Sequence, residues 1–150
     1  MAYFSAAFAR TDAGWIGTEA DLTEVAGLDD LADIMRETAV ETAGDTIVLL
    51  VEQDDEWFAV IRLDDGEDPR IFLSDPRASL TSGLAFMLYE QIGGSEDEPT
   101  EEPVGDTTLL ADLGIAPDRL TGLGERTLPG DALSVVAERA GFAEEYDGLR

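Results

Sequence analysis

The chain is 150 residues long, with 44% hydrophobic residues, and carries 34 acids against nine bases, for a formal charge of −25. All nine bases are arginine, and histidine, cysteine and lysine are absent. Disulfides, thiol or imidazole nucleophiles and lysine Schiff bases are therefore excluded, and a surface this negative repels nucleic-acid backbones and anionic lipid.

The apolar fraction is that of ordinary globular proteins, so a packed core is expected in spite of the charge. Residues 2–10 alternate Phe4, Ala6 and Phe8 on one side with Tyr3, Ser5 and Ala7 on the other, which predicts a strand. The same stretch is too short for a bilayer and lacks a basic leader, so neither signal peptide nor membrane helix is expected. Thr11 to Gly14 reads as a turn, and Trp15 to Thr18 as the second strand of an antiparallel hairpin. Leu28, Leu31, Met35, Thr38 and Thr42 then recur at helical spacing, widened by Ile34 and Ala39. Asp29, Asp30 and Asp33 crowd the first turns, where the helix dipole favours acids, and Gly44 is the expected terminator.

Ile47 to Val51 is apolar without alternation, as in a strand covered on both faces or nearly so. A turn at Asp54-Asp55 leads into its partner, Trp57 to Leu63. Residues 64–69, DDGEDP, read as a loop, and Arg70 to Ser74 as a fifth strand. Asp75 and Pro76 make a helix start, with Leu80, Leu84, Met87, Leu88 and Ile92 as the buried stripe and Gly93-Gly94 as the stop. Residues 95–106 hold six acids, two prolines and no base, which predicts a mobile linker. Three short helices are expected beyond it. Asp106 caps one over Thr107 to Leu113, Pro117 opens a second through Leu123, and Pro129 opens a third that ends at Gly141, with Phe142 supplying the apolar contact after the cap. The last residues are expected to fray.

The order ββαβββα predicts an α+β fold: five mostly antiparallel strands with helices on one face, then a small C-terminal helical segment. This order is similar to that of profilin-like and roadblock-like domains. The expected division is a sheet domain over 1–94, an acidic linker over 95–106 and a helical region over 107–150. The charge is −15 in residues 1–94 (20 acids, 5 Arg) and −10 in residues 95–150 (14 acids, 4 Arg), so the tail docks only through apolar burial.

Candidate chemistry is sparse. Asp64 to Asp68 gathers four acids around Gly66, ligands of the kind calcium prefers, but without the spacing of an EF-hand; a solvated hairpin loop is the stronger reading. Asp54, Asp55 and Glu56 could do acid–base work only if desolvated, and a hairpin tip is wet. The capping-box spacings at Thr18–Asp21 and Thr38–Glu41, like Gly122-Leu123-Gly124, have no supporting context. Arg62, inside a predicted strand, and Arg70, at the start of the next, are either ion-pair partners for nearby acids or anchors for an acidic ligand. Trp57 and Phe58 are adjacent in a strand and must point to opposite faces. If helices cover one face only, one ring is left as a contact for a partner or for a second copy of the chain. These four are the candidate interaction residues; no catalytic, cofactor-binding or metal-binding residue is assigned, and no cofactor is expected.

The segments AYFSAAFARTDAGW, GLDDLADIMRE, VLLVEQDDEWFAVIRLDDGEDPRIFLSD and LPGDALSVVAERAGFAEEYDGLR together resemble the actinobacterial tRNA adenosine deaminase-associated proteins. The resemblance spans nearly the whole chain and is loosest in the acidic linker. The family takes its name from a neighbouring gene for a tRNA adenosine deaminase, so the resemblance implies an association and brings no catalytic motif with it. A zinc deaminase needs His or Cys ligands and a Glu beside the metal. This chain has neither ligand type, so it is not the deaminase.

The sequence thus points to a cytoplasmic, non-enzymatic accessory protein whose partner is a tRNA adenosine deaminase or another basic protein. The alternative is an acidic mimic of nucleic acid that occupies basic sites elsewhere. A hydrolase or lyase using carboxylates alone would need two acids buried in one pocket. One consequence of the charge is independent of function. Self-repulsion at −25 weakens the fold when screening is poor, so the melting temperature should rise as NaCl goes from about 10 mM to about 500 mM. A flat thermal-melt series would mean that the charges are already spread or paired.

Overall fold

The computed structural model describes residues 3–53, 56–93 and 102–149. The predicted Asp54-Asp55 turn, the Gly94 stop and residues 95–101 of the expected linker lie outside the described residues.

Strands β1 (Tyr3–Thr11) and β2 (Gly14–Glu19) form the predicted hairpin, with the Thr11 hydroxyl donating to the Gly14 carbonyl at 2.7 Å. Strands β3 (Thr46–Gln53), β4 (Trp57–Asp64) and β5 (Arg70–Leu73) continue the sheet. A sixth, β6 (Val104–Gly105), closes it, giving the antiparallel order β2-β1-β3-β4-β5-β6. The five-strand expectation is therefore corrected: the end of the predicted acidic linker is a sheet edge. Its signal is a single glycine. Gly105 has φ +110°, and a Cβ there would stand 2.2 Å from the Ile71 carbonyl oxygen, so only glycine lets the backbone come this close to β5.

Helices cover both faces of the sheet, which corrects the one-face expectation. Helix α1 (Leu28–Thr42) and helix α2 (Gly83–Gln91) lie on one face, and α3 (Pro117–Arg126), α4 (Pro129–Ala140) and α5 (Ala143–Leu149) on the other. The reason is in the strands. Ile47, Leu49 and Val51 of β3, with Ala59 and Ile61 of β4, join the core under Leu31 and Met35 of α1 and Leu88 of α2. Val48 and Leu50, with Phe58 and Val60, join a second core under Leu120, Leu133, Val136 and Phe142. Neither face of these strands can be left wet, so the C-terminal helices are recruited by apolar burial against like charge. Trp57 and Phe58 do point to opposite faces, and both are buried, at 3% and 0% exposure.

Local chemistry explains smaller differences. Helix α1 ends one residue early, with Ala43 and not Gly44 in the left-handed conformation (φ 59°). Asp75 caps through its side chain, which accepts from the Arg77 amide at 3.0 Å, but Pro76–Leu80 forms only a 3₁₀ turn. Ser82 then provides a second cap, accepting from the Ala85 amide, and starts α2. Two starts in place of one continuous helix leave Leu80 exposed, and Phe86 lies on the solvent side of α2. Residues 107–113 are turns and a 3₁₀ segment (Ala111–Leu113) in place of the expected helix. Gly141 ends α4 as predicted, and Phe142 stacks on Phe8 with ring centroids 4.3 Å apart. The expected frayed end is instead α5, whose Tyr146 packs edge-on against Phe4. Gly17 admits this helix: a Cβ there would meet Phe8, Glu145 and Leu149 at 3.1–3.2 Å. Among the described residues no helix is long and apolar enough to cross a membrane.

Phe8, Phe58 and Phe72 all lie under the C-terminal helices. Each contributes about 1.5–3 kcal/mol when its burial is completed. A chain ending at residue 93 should therefore lose cooperative melting and bind a hydrophobic dye. Cooperative thermal unfolding of that fragment as a monomer would show that residues 1–93 are self-sufficient.

Candidate functional site

Alternation along β4 aims Arg62 and Asp64 at the face covered by the C-terminal helices, near the end of the sheet. Arg62 is only 4% exposed. Its Nε donates to Asp64 Oδ1 at 3.1 Å, its Nη1 to the Leu109 carbonyl at 2.8 Å, and its Nη2 to Asp112 Oδ2 at 2.8 Å. Nη1 also reaches Asp112 Oδ1, so the Asp112 contact is a two-pronged fork. Across the ladder Arg62 stands opposite Arg70, a pairing of like charges that a sheet disfavours. Asp64 resolves it by taking both, with Arg70 Nη2 at 3.2 Å. Arg70 also reaches Asp106 at 3.6 Å, and the Thr46 hydroxyl donates to Asp64 Oδ1 at 2.8 Å. The network ties three strands to the segment 106–112 that follows β6.

The acids of this network are poor proton donors near neutral pH. Hydrogen bonding to Arg62 holds the Asp112 carboxyl below the usual carboxylate range, against a smaller push from burial. Burial pushes Asp64 up, but the Thr46 hydroxyl and the Arg62 and Arg70 guanidiniums together bring it down. Asp106 behaves in the same way through Thr108 and Arg70. The Asp112 contact raises Arg62 further, so its charge is permanent. Acid–base catalysis near neutral pH favours a carboxyl shifted upward; here hydrogen bonds from Thr46, Thr108 and Arg62, with the Arg62 and Arg70 charges, shift three of them downward, as in a structural clamp.

The four candidate interaction residues thus occupy distinct settings. Trp57 and Phe58 lie in opposite cores, with Trp57 Nε1 donating to Gln53 at 3.2 Å. Arg62 is committed to two carboxylates and a carbonyl. Arg70 is half-buried and borders a shallow hollow of about 450 Å³ with Leu28, Ile92 and Asp106. The acidic loop supplies Asp64 to the clamp and leaves Asp65, Glu67 and Asp68 exposed. No cluster of three acids placed to hold a metal ion occurs among the described residues. Asp54 and Asp55 lie outside the described residues. Glu52 is a buried acid with no motif around it in the sequence; it borders a hollow with Tyr146, Asp131 and Asp147 at the α4–α5 corner. Sequence also gave no sign of Asp112, because fifty residues separate it from its partner on β4.

A family model, described as Rv3753c-like tRNA adenosine deaminase-associated protein, matches residues 3–143. The chain belongs to that family. The match runs from β1 to the start of α5 and so takes in the whole sheet, the clamp and both cores apart from the α5 residues Tyr146 and Leu149. No curated protein and no solved structure matches the chain significantly.

For this member of the tRNA adenosine deaminase-associated family, removing the clamp cation has a predictable cost. Arg62→Met keeps the bulk but leaves the Leu109 carbonyl without its guanidinium donor and Asp64 with only Arg70 and Thr46, while the half-exposed Asp112 can turn to water, so it should destabilise by roughly 1–3 kcal/mol, between surface and fully buried pairs. Arg70→Met, at a half-exposed site, should cost less than about 1 kcal/mol. The pH dependence follows from the depressed carboxyls. Their contribution is present above the unfolded carboxylate value of about 4 and is lost as pH falls through the lower folded values. Denaturant titrations of Arg62→Met should show a shallower loss of stability below about pH 4 than wild type; equal slopes would contradict the clamp.

Proposed function

We propose that the protein is a non-enzymatic accessory of a tRNA adenosine deaminase, acting in the cytoplasm by docking its acidic surface on a basic region of that enzyme. Membership of a family described as deaminase-associated carries the reading. Three features support it. The chain has no histidine or cysteine from which a zinc deaminase site could be assembled. Its arginines at the candidate site are engaged by its own acids, so they do not offer a cradle for RNA phosphates. Its charge of −25 complements an enzyme that must itself present a basic surface to tRNA, and such complementarity speeds encounter and fixes orientation.

The nucleic-acid mimic is less well supported. Mimicry asks for acids gathered on one face, and here Asp29, Asp33 and Glu37 are exposed on α1 in one layer while Asp131, Glu138 and Glu144 are exposed in the opposite one. The carboxylate-only hydrolase would need a second buried acid beside Glu52; its neighbours Asp131 and Asp147 are exposed.

Co-purification with the deaminase from the same genome tests the accessory role. The complex should form at about 150 mM NaCl and weaken markedly by about 500 mM, where the Debye length falls to a few ångströms. No complex at the lower salt, with or without tRNA, would overturn it.

A further inference from the structure

The end of α1 and the β4–β5 loop enclose a groove of about 410 Å³. The groove is lined by Arg36, Ala39 and Val40 of α1 and by Ile47 and Leu63, which are almost fully buried. Val40 is 83% exposed, and the residues one turn before it, Arg36 and Glu37, are exposed charges. Asp65, Glu67 and Asp68 form the opposite wall. Among the described residues no ion pair reaches these three acids, whereas Asp64 is held by Arg62 and Arg70, Asp45 by Arg10, and Arg36 by Asp33. The Asp65 amide donates to the Asp45 carbonyl at 3.1 Å and so ties the loop to the start of β3. The wall is thereby anchored at its base while its outer carboxylates stay unengaged.

The exposed Val40 and the half-buried Ala39 face the acidic loop across a space suited to long side chains. A guanidinium or ammonium on an aliphatic stem matches both: the stem lies along Val40 and Ala39, and the head meets the carboxylates. An acidic or purely apolar segment would leave one wall unsatisfied. The geometry points to this groove as the docking site for an arginine- or lysine-bearing segment of a basic protein partner. The assignment builds on the accessory role above and names the part of the surface that carries it.

The probe is a short capped peptide of arginine and leucine, titrated into the isotopically labelled full chain and followed by amide chemical shifts. The expected shifts centre on Val40, Gly44 and the loop from Leu63 to Asp68. Val40→Ser keeps every charge and should weaken the peptide about fivefold, and D65N/D68N about tenfold. Asp131→Asn/Asp147→Asn, equal in charge removed but remote from the groove, should change affinity less than about twofold. Shifts scattered over both layers, or a Val40→Ser chain that binds as tightly as wild type, would overturn the groove. Co-purification with the deaminase reports on the accessory role separately. Groove binding without a deaminase complex sinks that role and leaves the groove standing, while a deaminase complex that survives D65N/D68N undiminished does the reverse.

Discussion

Two adjacent strands that are apolar on both faces govern this molecule. β3 and β4 place Ile47, Leu49, Ala59 and Ile61 on one side and Val48, Leu50, Phe58 and Val60 on the other, all buried. An antiparallel sheet can leave one face to water, but only if its strands alternate. These do not, so a second layer is obligatory. That layer is the C-terminal region, drawn in despite carrying ten net negative charges of its own in residues 95–150 (14 acids less 4 Arg). Apolar burial outweighs the repulsion because the opposing charges stay at the surface in high dielectric, while Phe142, Val136 and Leu133 are withdrawn from water altogether.

A covered face makes the position of Arg62 intelligible. A guanidinium under a helical layer is costly unless each of its donors finds an acceptor. Asp64 comes from the same strand, Asp112 and the Leu109 carbonyl from the incoming segment. The arginine thus converts a non-directional apolar contact into a specific one. Sliding the 106–112 segment along the sheet would preserve much of the hydrophobic contact but would strand a buried cation. Arg70, Asp106 and Thr46 extend the same logic to β3, β5 and the residue after β6. The clamp sits at the point where the chain crosses from one layer to the other, where register is least constrained by helix or strand periodicity.

What could be read in the sequence follows from the range of each interaction. β1 to β5, α1 and the Gly141 terminator rest on neighbours within a few residues and are legible; Phe142 is placed after the cap as expected, but its ring contacts are with Phe8 and Trp15 at the other end of the chain. The unbroken apolar run of β3 already implied two covered faces, yet an architecture with helices on one face was expected; the local signal was correct and its global consequence was missed. β6 was hidden because its strand is two residues long and its one requirement, a glycine able to approach Ile71, looks like linker composition. Asp112 was invisible for the same reason that it is informative: its pairing with Arg62 is set by the docking of distant elements. Asp75 and Pro76 look like the cap of one helix whose buried stripe would include Leu80; the second cap at Ser82 resets the helical phase and turns Leu80 outward.

Both faces of the sheet are spent on the cores and three arginines on or beside it on internal pairs, so recognition falls to the outer surfaces of the helical layers and to the loops. Those surfaces are acidic, and this links stability to binding. Every unneutralised carboxylate on a compact chain adds to self-repulsion. A basic partner that engages the folded chain relieves part of that repulsion, and whatever binds the native state alone stabilises it by mass action. Under the proposed accessory role, the isolated chain is below its full stability, and a partner that completed its electrostatics would also strengthen its fold. In that proposal the excess of acids both keeps the chain soluble and favours the folded state most when a cationic surface is bound.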